Sequence, residues 1–260
     1  MTASGGWDGR FGVIRPGWQL YLGAIGPTRE HAHHAIQIVL ADTAVMLQDH
    51  SGYHRLCVSA VVPPSVPHTI VEGSTEAVML YLDPESAAGR AISGQWGSDQ
   101  DSVHTWINAA NGLPRIHSWP ERARAGSPES LVAEILHALG ASRLAGPGDS
   151  VHPALDSAVR ALPKMLDGPV RLADVSAEVG LSASRLRHLF TEQFGLPFRR
   201  YVLWLRLQRA TEEVLGGASL TDAAHAAGFT DSSHLTKVTY RTFGLAPSTL
   251  AKAVTPLFPG

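Results

Sequence analysis

Hydrophobic positions in the first third of the chain fall in short runs rather than at helical spacing. The runs "AIQIVLA", "LCVSAVV" and "AVMLYL" are separated by the turn-rich pieces "DHSGYH" and "VEGSTE". Short apolar runs bounded in this way read as strands. Residues from about Gly12 to Leu82 are therefore expected to form β-structure, and several short strands at regular spacing predict a small barrel or sandwich. Pro63, Pro64 and Pro67 crowd the stretch "VVPPSVPHTIVEG", which suits a loop entering a strand rather than a central strand.

From Asp83 the period changes. "PESAAGRAISGQW" and "SPESLVAEILHALGASRL" read as helices, and the second aligns Leu131, Ile135 and Leu139 on one face. Such a stripe packs on its own domain or pairs with a twin helix in a homodimer; the helices near 119–144 are expected to do the latter. "AGPGDS", Ala145–Ser150, has linker composition. Beyond it the pattern is almost wholly that of short helices. The expected division is a first domain over 1–144, a linker over 145–150 and a second domain over 151–260.

The second domain contains a repeat. "LADVSAEVGLSASRLRHLFTEQFGL" begins at Leu172 and "LTDAAHAAGFTDSSHLTKVTYRTFGL" at Leu220. Leu172, Asp174 and Gly180 return as Leu220, Asp222 and Gly228. After one inserted residue, Ser184, Leu186, Phe194 and Gly195 return as Ser233, Leu235, Phe243 and Gly244. Repeats take precedence over other assignments. Each copy reads as helix, glycine turn, helix. Ser182 is placed to cap the second helix of the first copy. Ser219 with Asp222 has capping-box spacing in the second copy, and Asp231 caps its second helix. Arg171 stands where a Ser, Thr or Asp cap is common, so the first helix is expected to begin with a weaker cap. Two short helices meeting at such a turn form a helix-turn-helix, whose second helix can enter a DNA major groove. The copies are joined by "PFRRYVLWLRLQRATEEVLGG", a long amphipathic helix carrying Arg199, Arg200, Arg206 and Arg209. A rigid helix of that length can hold two recognition helices about one DNA turn apart, roughly 34 Å.

Charge agrees with this division of labour. The 260 residues carry a formal charge of −2. From Arg160 onward the balance is +4, and the preceding part holds −6. A mildly basic second half permits a nucleic acid. The single cysteine, Cys57, excludes an intramolecular disulfide and fits a reducing cytoplasm. No secretory signal is expected at the N-terminus, and no apolar run approaches the roughly 18–20 residues of a membrane span.

The blocks "LADVSAEVGLS", "LRHLF", "FGLPFRRYV", "RLQRA" and "AAHAAGFTDSSHLTKVTYRTFGLAPSTL" make residues from about Val151 to Leu250 resemble the DNA-binding domain of AraC/XylS-type transcription regulators. By position, the resemblance implicates Ser184, Arg187 and His188 in the first copy and Ser233, Thr236 and Lys237 in the second as DNA readers. Arg185 lies on the same helix as Arg187 but is expected to face the backbone of the DNA. Arg187 can give a bidentate contact to guanine O6 and N7, worth about 1–3 kcal/mol of discrimination. Arg199, Arg200, Arg206 and Arg209 are expected at phosphates. Thr239 stands where the first copy has Phe190 and where the family usually has an aromatic residue. It is expected to thin the second core or to shift its packing to Tyr240 and Phe243.

The family often carries an N-terminal effector and dimerisation domain with a cupin-like β-barrel, and residues 12–82 resemble one more loosely. The fold class expected is α+β: a cupin-like barrel with trailing helices, then an all-α domain with two helix-turn-helix motifs joined by a long helix. The stretch "HAHHAIQ" supplies His31, His33 and Gln37, and His68 follows downstream. The spacing fits the metal-binding cupin pattern, with Gln37 in the carboxylate place. On a strand, His31, His33 and Gln37 would share one face and His34 the other. Three neutral imidazoles suit zinc, nickel, iron(II) or copper. The alternative is a metal-free pocket for an organic effector. His50, His54, His104 and His117 are expected to be exposed. Partners implied are double-stranded promoter DNA, a small-molecule or metal effector, the transcription machinery and a second copy of the chain, with no membrane. A metal-dependent cupin enzyme with an appended helical domain is the competing reading, and Gln37 and the doubled helix-turn-helix argue against it.

Overall fold

The computed structural model describes residues 7–113, 127–141, 152–194, 196–244 and 247. The expected linker over 145–150, His117, Gly195 and parts of the expected 119–144 helices lie outside the described residues.

Six antiparallel strands form one sheet: β1 (Asp8–Arg15), β2 (Trp18–Ile25), β3 (Ile36–Asp49), β4 (His54–Val62), β5 (His68–Glu72) and β6 (Ser74–Leu82). Their order is β1-β2-β6-β3-β4, with β5 also paired to β3. The long strand β3 makes this possible. A register irregularity between Leu40 and Val45 divides it. Its first half pairs with β6 and its second half with β5, while β4 runs alongside both. Ile36, Ile38, Val39, Leu40, Leu80 and Leu82 are fully buried or nearly so, so burial extends to both faces of the central strands.

The expected barrel is not closed. The outer strands β1 and β4 do not pair with each other. Helices lie against both of them instead: α2 (Val103–Ala109) on β4, and α7 (Phe198–Leu215) on β1. An edge strand covered by a helix is withdrawn from further pairing.

The trailing helices are α1 (Ala87–Ile92), α2 and α3 (Pro128–Ala138). Helix α3 carries the Leu131–Ile135–Leu139 stripe, and all three residues are buried within the chain. Gln95 donates to the Leu139 carbonyl at 2.7 Å, and Arg15 pairs with Glu129 at 3.1 Å. The stripe expected to pair two copies is thus consumed in packing this helix onto its own sheet domain.

The second half contains α4 (Pro153–Ala161), a 3-10 turn (Leu162–Met165), α5 (Leu172–Glu178), α6 (Ala183–Gln193), the long α7, α8 (Leu220–Ala226) and α9 (Ser232–Phe243). The capping expectations hold. Ser182 accepts from the Arg185 amide, Ser219 forms a reciprocal pair with Asp222, and Asp231 accepts from the His234 amide. Arg171 offers no side-chain cap to α5. Both motif turns are made by glycines in the left-handed region, Gly180 at φ +70° and Gly228 at φ +75°, where a residue without Cβ is favoured. Packing around Thr239 shifts to Phe243, which is fully buried, while Tyr240 points outward at 46% exposure. A small apolar groove lined by Leu207, Val214, Leu235, Thr239 and Phe243 remains there.

Candidate nucleic-acid interface and histidine cluster

The two helices that follow the glycine turns present the residues singled out above. On α6, Leu186, Leu189 and Phe190 point inward, which leaves Ser184, Arg185, Arg187 and His188 exposed. On α9, Leu235, Thr239 and Phe243 are inside, Ser233 and Lys237 are exposed and Thr236 is half-buried. The Thr236 hydroxyl donates to the Ser232 carbonyl, and Arg185 pairs loosely with Glu192 at 3.8 Å. The side chains of Arg187, His188 and Lys237 have no hydrogen-bond or ion-pair partner among the described residues. Unpaired cations and donors on the outer face of a helix cost little to bring onto DNA, because no internal bond must first be broken.

The four arginines of α7 divide. Arg199 is exposed, and so is Arg209, which pairs with Glu213 at 2.6 Å. Arg206 donates to the Gly168 carbonyl at 2.7 Å and lies under the Gly228 turn. Arg200 is turned to the sheet domain: its Nε donates to Asp83 Oδ2 at 2.9 Å and its Nη2 to the same oxygen at 2.5 Å. Trp204 Nε1 adds a third donor to that oxygen at 2.6 Å. Arg200 and Arg206, expected at phosphates, are therefore built into the fold. Asp83 and Trp204 escaped the sequence reading. Their only signals are a carboxylate closing an apolar strand and a tryptophan on an otherwise basic helix.

The Asp83 cluster belongs to a seam between the two halves. The last turn of α9 reaches the histidine segment: the His34 amide donates to the Arg241 carbonyl at 2.8 Å and the Ala35 amide to the Thr242 carbonyl at 3.3 Å. These carbonyls are among those a helix end leaves unsatisfied. Phe243 packs edge-on between Tyr81 and Trp204, with ring centroids 5.6 and 5.5 Å away.

The histidines lie directly beside this seam. His31–Ala35 is not strand, since β3 begins only at Ile36. What aligns the segment is an isolated antiparallel bridge in which the backbones of His31 and His68 exchange both hydrogen bonds. The rings of His31, His33 and His68 meet with centroids 4.4–5.6 Å apart, and each can offer a ring nitrogen within 4.8 Å of the other two. His33, His68 and Gln37 are 1–2% exposed. Gln37 shares its row with Tyr81 and Gln19 on neighbouring strands. Burial pushes the His33 imidazole down to about 4, against the opposing hydrogen bond with Gln37 and with added repulsion from His31. Burial, followed by repulsion from His33 and His31, holds His68 well below the ordinary value, and burial also lowers His31. All three rings are therefore neutral at neutral pH. His50, His54 and His104 are exposed, as expected.

Comparison with known proteins bears on the helical half. Residues 175–253 match the model of a helix-turn-helix domain family. The arabinose operon regulatory protein of Salmonella typhimurium is 30% identical over 129 residues, covering 46% of this chain and 45% of that protein. The HTH-type transcriptional activator RhaR of Pectobacterium atrosepticum is 33% identical over 125 residues, covering 46% of this chain and 43% of that one. Within the helical half, residues 175–253 belong to a helix-turn-helix domain family, and the chain is similar to these two regulators over less than half of its length. Among solved structures, ToxT from Vibrio cholerae aligns over 92% of this chain and 98% of its own at 12% identity, with a TM-score of 0.49. The chain spans less than half the length of the two curated relatives in these matches. The helix-turn-helix match begins inside α5 and includes α6 and α9, so every expected DNA reader on those two helices falls within it. The histidine cluster falls outside the family match. No described helix is long and apolar enough to cross a membrane.

Proposed function

We propose that this chain is a sequence-specific DNA-binding transcription regulator whose sheet domain responds to a bound ligand. The observation that carries the reading is the pair of outward-facing helices α6 and α9, each placed after a glycine turn and each bearing unpaired cations or donors, Arg187 with His188 and Lys237. Arg187 reads a base, Lys237 reads guanine or a phosphate, and Arg199 and Arg209 serve phosphates. The two motifs, held by α7, enter successive major grooves of promoter DNA. The ligand-responsive role of the sheet domain draws on the relatives' names, an operon regulator and a transcriptional activator. This reading assigns the chain no catalytic step and places it in the cytoplasm with the transcription machinery, where the buried thiol of Cys57 stays reduced. If it works as a homodimer, the pairing surface is other than the Leu131–Ile135–Leu139 stripe.

The test is DNA selection from a random library by the full chain, followed by anisotropy titrations on the enriched sequence and its single-base variants. Arg187→Ala should relax the preference at one base pair, by about 1–3 kcal/mol. Arg199→Ala should weaken all sequences alike and lower the salt slope by about one. No enriched sequence, or equal losses on every sequence for both variants, refutes the reading.

A further inference from the structure

The hydrogen bonds of His31 and His68 fix where their protons are. Nδ1 of His31, His33 and His68 lies 2.9 Å from the carbonyl oxygens of Arg29, Ala35 and Val66 respectively. A carbonyl only accepts, so Nδ1 of His31 and of His68 carries the hydrogen and Nε2 of each of these neutral rings holds a lone pair, whereas His33 faces an acceptor at both nitrogens. Backbone carbonyls holding Nδ1–H while Nε2 stays free is the arrangement that orients metal-ligating imidazoles.

Two further observations say that something is wanted between these nitrogens. His68 Nε2 is buried and has no hydrogen-bond partner, and the amide nitrogen of Gln37 is likewise without one. His33 Nε2 faces Gln37 Oε1 at 2.8 Å while its Nδ1 faces the Ala35 carbonyl oxygen at 2.9 Å, so a neutral ring leaves one of the two contacts lone pair against lone pair. Turning the amide over would relieve this contact but would leave His68 Nε2 unpartnered. A cation relieves both. Ligand atoms about 2.1 Å from a common ion stand roughly 3 to 3.4 Å apart, so His33 and Gln37 are already near ligand spacing. Their ring nitrogens, now within 4.8 Å of one another, need to close by at most about 1.5–2 Å.

We propose that His31, His33 and His68, with the Gln37 amide oxygen as an auxiliary ligand, bind one first-row divalent metal ion of the zinc, iron(II), nickel class, in competition with closure of the seam to α9. The donor set is three imidazole nitrogens and one neutral oxygen, which suits these ions and leaves the site its full positive charge. The competition follows from Gly244, which ends α9. A Cβ built there would stand 2.2 Å from His31 Cδ2, 2.7 Å from His31 Nε2 and 2.9 Å from His33 Cδ2. With the seam closed, the backbone at Gly244 lies against the His31 and His33 ring edges and leaves little room on that side for an ion carrying a water or effector atom. Loading the site therefore loosens the hold of His34 and Ala35 on the last turn of the second recognition helix. As a regulatory role for that helix, this rests on the DNA-binding reading; as a metal site, it does not.

The test uses untagged full-length protein stripped with chelator. Zinc is titrated by calorimetry and cobalt(II) by visible absorption, in the wild type and in the His31→Ala, His68→Ala and Gln37→Glu variants. The expected result is one ion per chain, affinity at least tenfold weaker in both alanine variants and tighter in Gln37→Glu. His31 is only partly buried, so His31→Ala keeps the test informative if His68→Ala fails to fold. Less than a tenth of an ion per chain, or unchanged binding in His31→Ala, overturns the site. Hydrogen exchange at the His34 and Ala35 amides should quicken on zinc binding; unchanged exchange at full occupancy overturns the competition. DNA titrations on the same samples separate the two readings. Metal binding with no DNA sequence preferred refutes the regulator alone, and DNA binding without metal refutes the site alone.

Discussion

Replacing Arg200 with alanine should split the molecule at its seam. Asp83 is wholly inaccessible to solvent and accepts three hydrogen bonds on Oδ2, two from Arg200 and one from Trp204, while the Glu85 amide donates to Oδ1 at 2.9 Å. Stranding a buried charge by removing its partner costs about 3–5 kcal/mol. Two features bring the expectation to the low end. The guanidinium is 20% exposed, and the Trp204 and Glu85 donors remain to solvate the carboxylate. A loss of about 3 kcal/mol is therefore expected for Arg200→Ala. The assay is urea unfolding of the full chain, set beside Asp83→Ala and the double variant in a double-mutant cycle. The double variant should lose less than the sum of the single ones, because the stranded carboxylate is gone. Calorimetry should resolve two transitions in Arg200→Ala if the halves come apart, since multidomain chains need not unfold as one unit. Arg199→Ala is the control: one position away and exposed, it should stay within about 0.5 kcal/mol of the wild type while weakening DNA binding. Equal stability of Arg200→Ala and Arg199→Ala would refute this account of the seam and return Arg200 to the list of phosphate contacts.

The two motif glycines should differ although their backbones match. Gly180→Ala meets nothing within 4 Å and should cost only the left-handed strain, about 1–2 kcal/mol by chemical denaturation. Gly228→Ala would put Cβ 1.9 Å from the Leu166 carbonyl oxygen and should cost several kcal/mol; similar costs for both would contradict the packing described. Thr239→Leu should fill the groove beside Val214 and Phe243 and raise stability by about 0.5–2 kcal/mol; a lower midpoint would mean that the groove is already closed in solution.

The doubled helix-turn-helix was legible because its determinants are local. Caps at Ser182, Ser219 and Asp231 act within three residues, the glycine turns act at one, and the inward positions of α6 and α9 recur at helical spacing. The histidine cluster was legible in its residues but not in its geometry. Parity along a strand brought His31, His33 and Gln37 to one side on paper, yet the segment is no strand. It is the backbone bridge to His68, formed across an intervening hairpin, that brings the rings together.

What the sequence determined by itself was the helix-turn-helix class of the helical half, which of its side chains stand on the outer faces of α6 and α9, and the donor types available for a ligand. Those follow from side-chain chemistry and from order over a few residues. The tertiary structure decided which of these groups are free to act. Arg200 looked like its neighbour Arg199 and is instead bound to a carboxylate 117 residues away. The stripe of α3 looked ready for a partner and is spent on its own domain. The sheet does not close: its outer strands β1 and β4 are not paired with each other, and α7 and α2 lie against them. The histidines acquire a lid from the end of the second recognition helix. Each of these outcomes depends on pairing between groups distant in the chain, where burial, not local pattern, selects the partner.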